Sequence, residues 1–220
     1  MKEPVIIDNF KCYAPELAYG NDGFPPDMFD LLAELEENNF WFKARNNIIR
    51  HLCQKYLGRN NAKKVLEIGC GNGYVLRGLM DLGYHLTGSE IYLDGLKNVK
   101  KRLKENVELI QMNALNIPFE NQFDAIGAFD VIEHIEDDIK VMQETHKALK
   151  KEGYFIITVP QYQWMWSYLD DYAKHKRRYT QKELTKKLKQ CGFEIKYISS
   201  FVTFLFPVVV ISRMMKKNKP

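Results

Sequence analysis

From Lys63 onward, short apolar runs alternate with longer stretches that carry apolar residues at helical spacing. The apolar runs predict six strands, which are in chain order KKVLEIG, YHLTGSE, VELIQMNA, FDAIGAFD, YFIITVP and FEIKYISSF. The stretches between them predict helices, namely YVLRGLMDLG closed by Gly83, YLDGLKNVKKRLKEN, DDIKVMQETHKALKKEG and TQKELTKKLKQCG capped by Thr180. Strands that alternate with helices form parallel β-α-β units. We therefore expect an α/β fold with one doubly wound, mostly parallel sheet covered by helices on both faces.

Two regions precede this α/β part of the chain. Residues 1–26 are rich in proline, glycine, asparagine and aspartate, which predicts an irregular arm. Residues 27–60 carry apolar residues at helical spacing and predict two N-terminal helices, with a break near Asn38–Asn39. The third part, residues 61–220, is then a single large α/β domain.

Composition excludes several classes of protein. The 32 lysines and arginines outnumber the 28 aspartates and glutamates by only 4, which is too small a net charge to indicate a nucleic-acid groove. The four cysteines form no CxxC pair and have no histidines at zinc spacing, so we expect reduced thiols and no metal site. The first residues lack a long apolar run, and we expect a cytoplasmic protein.

A glycine-rich loop follows the first predicted strand of the α/β domain. Gly69, Gly71 and Gly73, with Cys70 between the first two, stand where this strand meets a helix. Glycines allow the backbone to approach a ligand closely, and a helix N-terminus offers free N–H groups. Glu90 ends the next strand about 20 residues later, where a carboxylate can accept hydrogen bonds from ribose hydroxyls. The pattern indicates a nucleotide-like ligand, although a tight turn needs glycine for steric reasons alone.

Two features distinguish this loop from a dinucleotide-binding loop. Its spacing is GxGxG rather than GxGxxG, and Glu67 precedes it. A carboxylate beside the glycines repels a pyrophosphate and favours a cationic ligand. S-adenosylmethionine carries a sulfonium and an ammonium group in place of phosphates, and it fits this pattern.

The segments VLEIGCGNGYVL, GSEIY, MNALNIPF, FDAIGAFDVIEHIEDD and LKKEGYFIITVP occur in this order. Together they resemble the successive motifs of class I S-adenosylmethionine-dependent methyltransferases, over about Lys63 to Phe193. FDVIEHIEDD is particularly similar to the ubiquinone-biosynthesis O-methyltransferase type. The resemblance implies that residues 61–220 form a Rossmann-like methyltransferase domain, with S-adenosylmethionine as cofactor and S-adenosylhomocysteine as product.

The resemblance also implies a set of cofactor-binding residues. The glycine loop and Glu67 hold the methionine part, Glu90 holds the ribose, and Ile91 packs on the adenine. Asn113 stands where the family usually has aspartate, and its amide oxygen can still accept a bond from the adenine amino group. The full set is Arg45, Glu67, Gly69, Cys70, Gly71, Gly73, Glu90, Ile91, Asn113, Ala114 and Asp130.

Two members of the site have an alternative interpretation. Arg45, in FWFKARNNII, can pair with the methionine carboxylate or can be a surface charge on an amphipathic helix. His134, four residues after Asp130, is the candidate catalytic residue, as a base or as a substrate contact. Its alternative role is to shape the pocket at the start of a helix.

The acceptor is less well defined by the sequence. DNA bases are disfavoured, because the Asn/Asp-Pro-Pro-aromatic run of amino-methylating enzymes is replaced by Asp130-Val131-Ile132-Glu133. An aromatic connection can line an acceptor pocket or cover the sheet edge, and its members are Tyr162, Trp164, Trp166, Tyr168 and Tyr172. The adjacent basic cluster, residues 175–178, can meet an acceptor phosphate or carboxylate, or can be a solvated loop.

The predicted function is methyl transfer to a small-molecule, glycan or lipid-linked acceptor, at oxygen. A nicotinamide-dependent oxidoreductase and a non-catalytic binding module are the alternatives. Residues 201–219 combine an apolar segment with a basic tail, which predicts either a last antiparallel strand pair or a peripheral contact with a membrane. The apolar segment is too short for a spanning helix, which needs roughly 20 residues.

Overall fold

The computed structural model describes residues 3–19, 27–59, 62–104, 107–201 and 210. Seven strands form one sheet: β1 Val5–Ile7, β2 Phe10–Cys12, β3 Lys64–Ile68, β4 His85–Glu90, β5 Glu108–Gln111, β6 Phe123–Phe129 and β7 Leu149–Thr158. The helices are α1 Asp27–Asn38, α2 Phe40–Leu57, α3 Tyr74–Leu79, α4 Leu93–Leu103, α5 Asp138–Ala148, α6 Tyr168–Tyr172 and α7 Gln181–Gln190. Short 3₁₀ turns occur at Pro15–Leu17, Met80–Leu82, Ile132–His134 and Gln163–Met165.

The strand order is β1-β2-β5-β4-β3-β6-β7, and every neighbouring pair except β1/β2 is parallel. From β3 the chain moves outward through β4 and β5, then returns to place β6 on the other side of β3. The connections after β3 and β6 therefore leave in opposite directions. In open α/β sheets such a switch point forms a ligand-binding crevice outside the carboxyl ends of the strands.

Two apolar cores lie on the two faces of this sheet. One contains Ile49 of α2, Leu76 of α3 and Leu96 of α4, all at most 1% exposed. The other contains Val141 of α5 and Leu188 of α7. Apolar residues of β3 and β6 alternate between the two cores, because successive side chains of a strand point to opposite faces. The predicted Rossmann-like, doubly wound sheet with N-terminal helices is confirmed.

The composition predicted an irregular N-terminal arm, but part of this arm forms two strands. β1 and β2 form a hairpin, and β2 pairs in parallel with β5, which extends the sheet at its edge. Asp8 and Asn9 make the turn with φ of 50° and 65°, as a tight two-residue hairpin requires. The strands have only three residues each, so they produce no alternation long enough to be recognised in the sequence.

The second half of the chain differs from the prediction in two places. α5 ends at Ala148 rather than at Gly153, because β7 begins at Leu149, which pairs with Phe123 of β6. The alternating stretch 193–201 is not a strand. Phe193 and Ile195 pack against the second core through their side chains, so the alternation reflects packing rather than strand pairing.

Both interpretations of residues 201–219 fall almost entirely outside the described residues. Within the described ranges, no helix is both long enough and apolar enough to cross a membrane.

Candidate active site

The loop from Gly69 to Gly73 begins at the carboxyl end of β3. All three glycines have positive φ, of 63° at Gly69, 51° at Gly71 and 72° at Gly73. A Cβ on Gly69 would lie 2.7 Å from Val131, and a Cβ on Gly73 would lie 2.8 Å from Val99. A Cβ on Gly71 would meet no atom within 4 Å. Gly69 and Gly73 are therefore needed for packing, whereas Gly71 faces open space that a ligand can enter.

Glu67 lies near the end of β3, two residues before this loop, and is 4% exposed. One of its carboxylate oxygens, Oε2, has no hydrogen-bond partner. Burial raises the pKa of Glu67 well above its usual value, and the positive charge of Arg45 opposes this shift only partly. A buried carboxylate oxygen without a partner suits a ligand that brings a positive charge, as the ammonium group of S-adenosylmethionine does.

Glu90 ends β4 and is positioned by the backbone on both sides. Its Oε2 accepts the Gly71 N–H at 3.1 Å, and its Oε1 accepts the Ile91 N–H at 2.9 Å. Burial raises the pKa of Glu90, against the effect of these two hydrogen bonds. Each carboxylate oxygen has a second lone pair, so Glu90 can still accept hydrogen bonds from two ribose hydroxyls.

Asn113 and Ala114 follow β5 beside Glu90. The Met112 N–H donates to the Glu90 carbonyl, which ties this segment to the end of β4. The Asn113 Oδ1 accepts the Leu115 N–H at 2.9 Å, which leaves one lone pair of this oxygen for a further donor. Ala114 is buried.

Arg45 and Asp130 form an ion pair across the site. Arg45 projects from α2, is 8% exposed, and lies 4.8 Å from the ring centre of Trp41. Asp130 follows β6 with a φ of 57°, and its other carboxylate oxygen accepts the Thr158 hydroxyl at 3.2 Å. The alternative in which Arg45 is a surface charge is wrong. Its Nε has no partner, so one donor remains available for a ligand carboxylate.

Glu133 and His134 lie in the short 3₁₀ turn that follows Asp130. Burial, and then the nearby His175, lowers the pKa of His134 to about 4. Glu133 is fully buried, and neither of its carboxylate oxygens has a hydrogen-bond partner. Burial and the negative charge of Asp130 raise the pKa of Glu133 well above its usual value. Glu133 was not among the residues predicted from the sequence, although its position next to His134 at a strand end was a usable signal.

The basic cluster is largely neutralised by carboxylates. Arg178 donates to Asp170 at 2.7 Å, His175 lies 2.9 Å from the same carboxylate, and Arg177 pairs with Asp138 at 3.3 Å. Burial works against ionisation of Asp170, but the bonds from His175 and Arg178 hold the pKa of this carboxyl below its usual value. Three members of the cluster therefore already have carboxylate partners, and contact of the cluster with an acceptor anion stays a prediction.

Of the five aromatic side chains of this connection, Tyr162 alone lines the main cavity. Tyr162 lies in the lining of the main cavity, and its ring stacks on Trp164 at 5.8 Å. Trp164, Tyr168 and Tyr172 are 56%, 43% and 57% exposed, so the prediction of a pocket lined by all five aromatics is wrong. The two ends of the connection lie side by side, because Gln161 and Tyr179 form an isolated parallel β-bridge.

One cavity, about 2080 Å³ in volume, joins these elements. Every residue of the predicted site except Gly73 lines it, including His134. Glu133, Tyr162 and His175 also line it. The cavity also extends along β7 as far as Lys150 and Glu152, so the predicted site occupies only a part of its volume.

Fold and site thus define a class I, Rossmann-like methyltransferase domain. The model of a family described as a methyltransferase domain matches residues 41–198. The chain belongs to this methyltransferase-domain family, and the prediction of an S-adenosylmethionine-dependent methyltransferase domain is confirmed. The same match overturns the alternative of a nicotinamide-dependent oxidoreductase.

Three similar proteins illustrate the range of the family. A Mycolicibacterium smegmatis protein, named as an S-adenosylmethionine-dependent methyltransferase, is 27% identical over 164 residues, covering 73% of this chain and 62% of its own length. The ubiquinone biosynthesis O-methyltransferase of Actinobacillus pleuropneumoniae is 29% identical over 100 residues, covering 41% of this chain and 43% of its own length. The structure of Haemonchus contortus phosphoethanolamine N-methyltransferase 2 in complex with S-adenosyl-L-methionine superposes with a TM-score of 0.67 at 20% identity, covering 86% of this chain and 46% of that one.

Proposed function

We propose that this protein transfers the methyl group of S-adenosylmethionine to an oxygen atom of a small-molecule acceptor, free or carried on a glycan or lipid. The observation that supports it most directly is the shared cavity, which is lined by Gly71 and Glu90 and also by Glu133 and His134. The similar proteins do not agree on the acceptor atom, since their names include an O- and an N-methyltransferase.

The cofactor part of the proposal follows from two features of the loop after β3. The open space at Gly71 allows close approach of a ligand, and the unpartnered Glu67 oxygen suits its ammonium group. Glu90 would hold the ribose hydroxyls, and Asn113 and Ala114 would contact the adenine. Arg45 has a free Nε–H for the methionine carboxylate.

When bound, S-adenosylmethionine supplies a methyl carbon that bonds to the acceptor oxygen as the carbon–sulfur bond breaks, which leaves S-adenosylhomocysteine and a proton from the hydroxyl. The chain itself has to align the acceptor and exclude water from the cavity. We assign His134 to the acceptor side, as the residue that acts on the hydroxyl that is methylated.

The test is a turnover assay that measures S-adenosylhomocysteine formation with purified protein and a panel of acceptors. Phenols, sugar hydroxyls and lipid-linked sugars are compared with primary amines of matched size. We expect turnover with at least one hydroxyl acceptor and a loss of at least about tenfold in Glu90→Gln, because a neutral amide accepts weaker hydrogen bonds from the ribose.

The matched control is Glu108→Gln, which changes an exposed carboxylate on the neighbouring strand β5 and should keep the wild-type rate. Turnover with amines alone would overturn the assignment to oxygen. Tight binding of S-adenosylmethionine without turnover on any acceptor would instead support the non-catalytic binding module.

A further inference from the structure

Glu133 is an unusual residue in this structure, because a fully buried carboxylate normally has hydrogen-bond partners. It is 0% exposed, and both of its oxygens lack partners. Other buried carboxylates of the same region are well partnered: Asp138 accepts from Tyr179 and Lys187, and Asp170 accepts from Arg178. Burying an unpaired carboxylate is costly unless a cation or a proton compensates it.

Two imidazoles lie next to this carboxylate. One ring nitrogen of His134, one ring nitrogen of His175 and one carboxylate oxygen of Glu133 lie within 4.8 Å of one another. The two rings meet edge to face, with their centres 4.7 Å apart. Glu133 and His134 come from the turn after β6, and His175 comes from the connection more than forty residues later, so the fold alone brings them together.

The orientation of His175 is set by a second carboxylate. Its Nδ1 lies 2.9 Å from Asp170. Because an ionised carboxylate only accepts hydrogen bonds, Nδ1 carries the proton, and in the neutral ring Nε2 keeps a lone pair. Asp170 is held in turn by Arg178 and by the Ser167 N–H at 2.8 Å. A histidine that donates its other N–H to a fixed carboxylate is the usual arrangement around a bound metal.

We propose that Glu133, His134 and His175 bind a divalent first-row transition-metal ion, with Asp170 as the residue that positions His175. Two imidazoles and one carboxylate suit zinc or iron(II) better than magnesium, which prefers oxygen ligands. Bonds of about 2.0–2.2 Å to zinc need the ligand atoms somewhat closer together than in this arrangement. A shift of under about 1 Å in each side chain brings the three ligand atoms close enough together to bind one ion.

Three protein ligands leave coordination positions open, and all three residues line the main cavity. A cation there would bind an oxygen of the acceptor and lower the pKa of its hydroxyl. His134 would then act on the acceptor through the cation. Only this contact with the acceptor rests on the proposed function, since metal binding itself does not. The site also differs from the sequence-based expectation of no metal, which considered cysteine and zinc-finger spacing alone.

Calorimetry with Zn²⁺ and the absorption spectrum of bound Co²⁺ test the site on chelator-treated, full-length protein. We expect about one Zn²⁺ per chain. Glu133→Gln and His175→Ala should each weaken binding at least about 100-fold, and Asp170→Asn about 10- to 100-fold. Glu133→Gln keeps the volume of the side chain, and denaturant unfolding of this variant checks that a loss of metal binding does not come from loss of the fold.

The matched control is His85→Ala, which removes an exposed imidazole at the amino end of β4, the end of the sheet opposite the cluster. It should bind Zn²⁺ as the wild type does. Absence of Zn²⁺ binding, or binding that Glu133→Gln and His175→Ala leave unchanged, would overturn the site. If Zn²⁺ binds as expected but no acceptor is turned over, the proposed function is refuted and the metal site is retained. Undiminished turnover in chelator-treated protein would overturn the cation's contact with the acceptor.

Discussion

The residues at the carboxyl ends of β3 and β4 form what we call the first side of the cavity, and the residues after β6 form its second side. The two sides are built differently. On the first side, Glu90 accepts hydrogen bonds from the N–H of Gly71, in the loop after the adjacent strand β3, and from the N–H of Ile91, its chain neighbour. On the second side, Glu133 has no hydrogen-bond partner, and His175 is oriented by Asp170 from the distant connection. Glu90 on the first side is thus positioned by backbone N–H groups, whereas Glu133 on the second side has no such support.

This difference indicates which substitutions should affect which ligand. Changes in the loop after β3 should alter cofactor affinity directly, because the backbone there already has its final arrangement. Changes after β6 should alter metal or acceptor binding, or the stability of the connection, with little effect on the cofactor.

The largest effect is expected at Gly71. Gly71→Ala places a Cβ in the space that the cofactor must approach, and we expect S-adenosylmethionine affinity to fall about 100-fold, or about 2.7 kcal/mol. Gly58→Ala is a close control, since Gly58 also has positive φ, of 70°, and open space at its Cβ, but stands at the end of α2. Calorimetric titration of both variants measures the difference. Equal affinities in the two variants would show that Gly71 does not face the cofactor.

A smaller effect is expected at Glu67. Glu67→Gln removes the charge that we assign to the ligand ammonium group, and cofactor affinity should fall about tenfold, or about 1.4 kcal/mol. Denaturant unfolding of the free protein should show no loss of stability, because the substitution relieves an unpartnered buried carboxylate. If affinity is retained while stability falls, Glu67 has a structural role instead.

On the second side, Tyr179→Phe should affect stability rather than cofactor binding. The Tyr179 hydroxyl is buried and donates to Asp138 at 2.7 Å, and Lys187 still pairs with Asp138 when this donor is lost. We expect the free energy of unfolding in urea to fall by about 1 kcal/mol, with S-adenosylmethionine affinity within about twofold of wild type. Tyr168→Phe, at an exposed position, serves as the control and should change neither quantity. A large drop in cofactor affinity would mean that the two sides are coupled.

The smallest effect is expected for the cysteines, whose thiols should react slowly with a labelling reagent throughout the folded protein. Burial, and then the negative charge of Glu67, raises the pKa of Cys53 to about 12, and burial also raises the pKa of Cys70 and Cys191. The thiolate is the reactive form, so native protein should show little labelling by a thiol reagent at neutral pH until denaturant is added. Rapid labelling of a single cysteine in the folded protein would identify a segment that opens more easily than the packing indicates.

Much of the first side could be predicted from the sequence. The three glycines, Glu67 and Glu90 stand at short, regular distances along β3, the following loop and β4, and this local pattern is sufficient to predict a cationic, nucleotide-like ligand. The same pattern could not separate Gly71, which faces the cavity, from Gly69 and Gly73, which accommodate Val131 and Val99. That distinction depends on side chains far away in the sequence.

The strand–helix alternation, the class of fold and the cofactor class were determined by the sequence itself, because apolar periodicity and loop glycines act over a few residues. The hairpin that adds β1 and β2 to the sheet, the end of α5 at Ala148, the pairing of Arg45 with Asp130 and the meeting of Glu133 with His175 were decided only by the tertiary structure. Each of these depends on which distant segments are packed together, and a buried charge acquires its role from the partners that this packing provides or withholds.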